Sequence, residues 1–344
     1  MSDGEGSDSD VGTKNTMRGR VDASRAKMWV LLGANRLLLA AGFALFVYGA
    51  FLLVSVFIAP NLQAEIRSAD TIETLFSTML SVIVTGTTLV ITINQLVISQ
   101  ENGPLGDQRK RMSDAMDFRT YSSELFDEAP PSDPNEFLYR LVDVSHERAL
   151  ALRRLVAGDA GNDDDLREQV DEFVDSLEGN AEEVKEELQD AKFGDFKVLT
   201  AALNFNYSWK IYQVERLTQT FGDELGEDEQ HAFHQLQTAL TMFGPVREHI
   251  KTLYFQWALV DLSRYILYAA IPALAVAGSM QAIVGAETFG GVTLGVPDAT
   301  WVVGAAFTFS LVPFLVFASY VLRIATVAQR TLAIGPLILR ESDG

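Results

Sequence analysis

The chain has no cysteine among its 344 residues. That absence removes disulfides, thiolate metal sites and cysteine nucleophiles together. Lysine is scarce as well, 8 residues against 19 arginines. No ionisable side chain falls inside any of four long apolar runs. Proton-coupled transporters and voltage sensors need charge within the membrane, so this absence argues against both. Catalytic signatures are missing too. There is no phosphate-binding loop, dinucleotide fingerprint, nucleophile elbow, zincin motif or kinase set, and nothing reads as an enzyme.

What is present is divided along the chain. Hydrophobic residues make up 48% and the mean hydropathy is +0.12, yet the net charge is −19. A soluble protein with that much charge is rarely so apolar, so the two properties belong to different segments. Residues 99–263 hold 34 acidic and 16 basic residues, a net of −18, which is nearly all of the excess. An acidic surface with little lysine stays soluble where salt screens self-repulsion, which points to a halophilic source. It also excludes nucleic acid as a partner, since phosphate contacts need a basic face.

The four apolar runs extend from about Leu37 to Ala59, Leu75 to Ile98, Tyr265 to Val284 and Trp301 to Leu322. Each is long enough to cross a bilayer, which takes about 20 residues. Pro272 and Pro313 lie inside the last two, where neighbouring helices can satisfy the freed carbonyls. The first run is longer than a signal-peptide core, so a retained anchor is expected. Trp29, Trp301 and Tyr320 stand near span ends, where interfacial aromatics gather.

Arg18, Arg20, Arg25, Lys27 and Arg36 precede the first run, and Arg109, Lys110, Arg111 and Arg119 follow the second. Arg247, Lys251 and Arg264 precede the third, and Arg323, Arg330 and Arg340 follow the fourth. The loop at 60–74 has only Arg67, and the loop at 285–299 has no basic residue. Cytoplasmic flanks carry the excess of Lys and Arg, so both termini and the central block are expected in the cytoplasm of a protein of the cell (plasma) membrane. The expected fold class is all-α: a polytopic membrane protein with four transmembrane helices in a 2+2 arrangement and a cytoplasmic helical-bundle insertion. Its segments are a disordered, basic tail at 1–27, spans at 28–98, the acidic helical domain at 99–263, spans at 264–323 and a tail at 324–344.

Within the acidic domain, the second span is expected to stop or kink at Gly103-Pro104. Asp133, Pro134 and Glu136 read as an N-cap, first position and third position of a helix ending near Gly158. A second helix follows Asp163–Asp165, with Leu166, Val170, Phe173, Val174 and Leu177 as its stripe and residues 181–189 as an extension or successor. A third is expected from about Phe196 to Phe221 and a fourth from near Glu227 to Met242, with Gly244-Pro245 breaking it before the third span. His231 and His234 share a helix face, but no nearby cysteine completes a metal site, and no metal or other cofactor is expected. His146 and His249 stand alone.

The second span carries the most information. Thr74, Thr78, Ser81, Thr85, Thr88, Thr92, Gln95, Ser99 and Asn102 recur at alternating steps of four and three. That is one continuous stripe on a slightly supercoiled helix. Leu75, Met79, Val82, Ile83, Leu89, Val90, Ile93, Leu96 and Val97 flank it. In one reading several copies of the helix surround an aqueous axis, so that Thr78, Ser81, Thr85, Thr88, Thr92, Gln95 and Ser99 line a passive channel of a homo-oligomer. In the other the small hydroxyls pack dry between helices, and the protein is a membrane-anchored scaffold or sensor whose cytoplasmic domain binds a protein partner. Ala269, Ala273 and Ala277 form a small-residue ridge on the third span, and Asp261 and Arg264 are spaced to pair.

Two spans, a large helical insertion and two more spans resemble the layout of bestrophin-type channels. The resemblance is one of topology. No motif of that family is present, and the Thr-rich second span differs from its hydrophobic neck, so it transfers no site residue. More broadly the chain resembles uncharacterised membrane proteins of haloarchaeal type.

Overall fold

The computed structural model describes residues 29–58, 69–101, 103–158, 163–189, 191–192, 195–284 and 288–331. The expectations for the tail at 1–27, for Arg67, Asn102 and Arg340 lie outside these residues. The described chain is almost wholly helical. A π-helical turn at Trp29–Gly33 precedes α1 (Arg36–Leu53), which runs on as a second π-turn, Val54–Ile58. There follow α2 (Ala69–Glu101), α3 (Leu105–Phe126), α4 (Pro134–Gly158), α5 (Asp164–Gln189), α6 (Phe196–Asn204), α7 (Tyr207–Phe221), α8 (Glu227–Ile283) and α9 (Asp298–Thr331). A two-stranded hairpin, β1 (Val292–Thr293) and β2 (Val296–Pro297), stands between α8 and α9. Four helices are long and apolar enough to cross a membrane: α1, α2, α8 and α9.

The chain divides into two compact units, one built on Pro104–Phe255 and the other on Ala23–Gly103 with Gln256–Ala328. The first is a polar helical unit. Its α4 begins as the residue types dictate: Asp133 Oδ1 accepts from the backbone N–H of Asn135 (2.8 Å) and of Glu136 (3.2 Å), satisfying two donors that a helix start leaves open. Pro134 then occupies the first helical position, where its missing N–H costs nothing. Leu138, Leu141, Val142 and Leu152 of α4 are fully buried with Leu166, Val170, Phe173, Val174 and Leu177 of α5. Each such apolar side chain contributes roughly 1.5–3 kcal/mol on burial, which outweighs the weak helix propensity of Asp143, Asp165, Asp171 and Asp175 among them. The end of α3 is fixed by aromatic contact, Phe137 lying 5.9 Å from Phe118 and 5.2 Å from Phe126. Asp127 takes a left-handed conformation just beyond it (φ 57°).

Two sequence expectations fail in this unit. The helix expected over 196–221 is two helices, because the chain turns at Phe205-Asn206 to bury the Phe205 ring against Phe243 (4.6 Å). The break expected at Gly244-Pro245 is absent, and α8 runs unbroken through both residues. Pro245 lies on the exposed face, so the carbonyl it leaves unbonded, that of the exposed Thr241, remains open to water. Meanwhile Phe243, Gly244, Val246 and Arg247 are buried and hold the helix in place.

In the apolar unit two clusters form the interior. One joins Ile72, Phe76 and Ile83 of α2 to Ala270, Ala273, Ala277 and Met280 of α8 and to Val303 and Ala306 of α9. The other joins Ala40, Val90, Leu262, Ile266, Leu315 and Val316. Alanine allows the helices to approach closely, as the sequence ridge anticipates. Its third buried member is Ala270, with Ala269 half-buried, because 3.6 residues per turn carry the contact round the helix. Gly304 serves α1 in the same way. A Cβ there would lie 2.7 Å from Phe51 Cδ1. At the start of α1, Arg36 is buried and donates to the carbonyls of Ala34 (2.7 Å) and Ser319 (3.2 Å), while Arg323 donates to Ala34 (2.7 Å). The hairpin turns on Leu294 and Gly295, both at positive φ (56° and 79°), the backbone of a type I′ turn.

Candidate functional site

The seven residues singled out on the second span lie on one face of α2, and every one of them is exposed in the protomer: Thr78, Ser81, Thr85, Thr88, Thr92, Gln95 and Ser99. Thr74, one step further, is exposed as well. At about 100° per residue these eight fall within roughly 60° of one direction. Ile72, Phe76, Ile83 and Val90, the buried residues of the same helix, point about 180° away. α2 therefore turns its aliphatic face into its own unit and its hydroxyl face out of it. Val82, Leu89, Ile93 and Leu96 border the stripe and are exposed.

The hydroxyls are not idle. Thr78 donates to Thr74 O (2.9 Å), Ser81 to Ser77 O (3.3 Å), Thr88 to Val84 O (2.8 Å), Thr92 to Thr88 O (2.9 Å) and Ser99 to Leu96 O (2.8 Å). Such bonds satisfy the donor within the helix and leave the oxygen lone pairs facing outward. Thr85 and Gln95 differ, having no side-chain hydrogen bond among the described residues. Asn94, adjacent in sequence to Gln95, takes the other face, and its Oδ1 is buried without a partner, as is Thr87 Oγ1. Sequence spacing separates Gln95 from Asn94 correctly but gives no sign that the Asn94 amide is enclosed.

The remaining sequence candidates do not assemble. His231 and His234 are both exposed, His231 Nε2 lies 2.8 Å from Gln235 Nε2, and no group of three or more His, Asp or Glu able to hold a metal occurs among the described residues. His146, expected alone, sits instead between α4 and α5. Its Nδ1 is 3.4 Å from Lys185 Nζ and its Nε2 is 3.6 Å from Glu178. Lys185 also bonds Asp143 (3.1 Å), and Arg153 bonds Asp175 (2.6 Å). This partly exposed network binds two helices together. Asp261 and Arg264 form the ion pair that their spacing suggests. Between α8 and α9, Gly291 has a structural reason: a Cβ there would meet the Asp298 carboxylate at 2.0 Å.

Sequence reasoning missed one group. Lys210, on the first turn of α7, is 5% exposed, and its Nζ donates to Asn180 Oδ1 on α5 at 2.6 Å. Burial lowers its pKa to about 7. Its position between Trp209 and Ile211, on an aromatic helix, was the available signal.

No curated protein and no solved structure matches the chain. One family model does, and it spans residues 1–344, so the chain belongs to a family of unknown function, DUF7972.

Proposed function

We propose that the protein is an integral membrane protein that self-associates through the outward face of α2, and that the Thr/Ser stripe of several copies lines a passive permeation pathway. In this reading the four apolar helices cross the cell membrane as two pairs, and the helical unit between them and both termini are cytoplasmic. One observation carries the reading: the polar stripe runs the length of a helix long and apolar enough to cross a membrane and lies opposite that helix's packed face, where no described residue buries it. Against lipid tails the unbonded Gln95 amide would cost roughly 2–7 kcal/mol, and the Thr85 hydroxyl adds to that. Water or a second copy of α2 relieves the cost.

A second reading has its own support. Five of the stripe's hydroxyls are already bonded to their own backbone, which suits dry packing between copies. The protein would then be a scaffold or sensor, with the helical unit engaging a cytoplasmic partner.

The absence of native cysteine makes the test direct. Single cysteines at Thr78, Thr85, Thr88, Thr92 and Gln95 are reacted with a membrane-impermeant thiol reagent in vesicles. Cysteines at Val82, Val84 and Ile93 are the controls, because these are exposed in the protomer but lie to the sides of the stripe. Labelling of the stripe and not of the controls supports a water-filled path. A stripe that resists labelling but forms disulfides between copies supports the dry interface. A stripe that does neither removes self-association through α2.

A further inference from the structure

The helical unit holds a buried amine whose behaviour does not depend on whether α2 conducts. Charged side chains are almost never fully buried unless paired with an opposite charge. Lys210 is buried, and among the described residues no carboxylate bonds its amine. Its surroundings are built from amides and rings. Asn180, which accepts the Lys210 bond, donates through Nδ2 to Asn204 O (3.1 Å) at the end of α6. Asn204 Nδ2 in turn donates to the Glu187 carboxylate on α5 (3.1 Å). The Phe205 ring lies under the amine, 4.5 Å from centroid to Nζ.

These residues are the elbow that joins α6 to α7. Phe205 and Tyr207 stack on Phe243 of α8 at 4.6 and 5.6 Å, and the Arg247 guanidinium covers the Tyr207 ring at 4.8 Å. A Cβ on Gly244 would already be 3.3 Å from that ring. The elbow is therefore wedged between α5 and α8, with Lys210 as its only amine. The charged groups around it are Glu187 from α5, reached through Asn204, Arg247 from α8, reached through Tyr207, and Arg216 further along α7, which bonds Gln213 (2.8 Å). None of them bonds Nζ.

We propose that the α6–α7 elbow is a proton-responsive latch, closed on α8 while the Lys210 amine is neutral and released as that amine takes up a proton. Closed, the amine needs only the one acceptor that Asn180 supplies. Protonated, it carries three donors and a full charge, but in the closed elbow it bonds one oxygen and faces one ring, and water stabilises it better. The sign follows from the lowered pKa. Opening exposes Lys210 and restores its ordinary value of 10.5, while the closed state holds it near 7. Between those values the open state binds the extra proton. The closed state therefore gains on the open one by about tenfold per pH unit as pH rises, and the gain stops below about 7.

The test is hydrogen exchange on the full chain in vesicles at pH 7, 8 and 9, reading the protection of the amides at 205–212 after correction for their intrinsic rates. In the native protein protection rises about fivefold from pH 7 to 8 and about ninefold from pH 8 to 9. In Lys210→Met, which keeps the length and apolar contact of the side chain, protection does not change with pH. Asn180→Asp sets a carboxylate on Nζ, keeps the amine charged when closed and also flattens the slope, so it serves if the methionine variant fails to fold. A native slope of zero, or the same slope in either variant, overturns the latch.

Discussion

In the helical unit the buried side chains are large. Leu138, Leu141, Leu152, Leu166, Leu177 and Leu188 are all fully enclosed, and their shed surface is what drives the helices together. In the apolar unit α8 buries the small Ala270, Ala273 and Ala277 beside Leu262, Ile266 and Met280, and Leu38, Leu45 and Phe46 of α1 are each more than 70% exposed. On the membrane reading proposed above the two units answer to different solvents, and this accounts for the alanines inside one and the leucines inside the other. Where water surrounds a bundle, large apolar groups go inside. Where lipid surrounds it, such groups gain nothing by going inside, and close backbone approach decides what is buried. The helical unit encloses the Lys210 amine in an amide cluster, while the apolar unit carries a hydroxyl stripe on its surface.

Three substitutions break or sharpen this comparison. The largest effect is expected for Leu138→Ala in the helical unit, which loses both transfer energy and packing at a fully buried site. It should cost about 2–5 kcal/mol in denaturant unfolding of that unit. A cost well under 1 kcal/mol would mean that the Leu138 environment collapses freely and the unit lacks a tight core.

Gly304→Ala is next. A single methyl at this tight contact of α1 with α9 must displace the Phe51 ring, and overpacking of this kind costs about 1–3 kcal/mol. Detergent-resistance or thermal unfolding of the apolar unit reads it. An equal loss from Ala305→Leu, on an exposed position one residue on, would show that Gly304 is not a special contact. The smallest effect is expected for Thr92→Val, which keeps shape and removes a back-bonded hydroxyl on the exposed stripe. The protomer's unfolding midpoint should move by less than about 0.5 kcal/mol equivalent, while association between copies, read by cross-linking, should change. A large drop in protomer stability would place the stripe inside the protomer's own fold.

Much of the fold was legible in local chemistry. The four apolar runs correspond to the four helices able to cross a membrane, and the Asp133 cap, the start of α5 near Asp163–Asp165 and its apolar stripe were readable because capping and 3.6-residue periodicity are properties of a few neighbouring residues. The elbow at Phe205-Asn206 was not. Asn204 and Asn206 are weak helix formers and Asn206 stands at the N-cap of α7, but neither alone stops a helix, and the turn places the Phe205 ring against Phe243, far along the chain. Gly244-Pro245 misled in the opposite sense, since packing overrode a local breaker. The hairpin was hidden because its two-residue strands are too short to show alternation, and its turn uses Leu294 at a position that usually signals itself by Asn or Gly.

The same division holds for the candidate site. By itself the sequence determined that nine polar residues of the second span share one face, because spacing of four and three on a helix is geometry that no partner can alter. Only the tertiary structure decided which way that face turns. Ile72, Phe76, Ile83 and Val90 find alanines to pack against, and the opposite stripe is left outside. Lys210 shows the same limit from the other side. Its charge was visible in the sequence, but its burial depends on an elbow, an amide and a ring brought from three helices, and no local pattern encodes such a meeting.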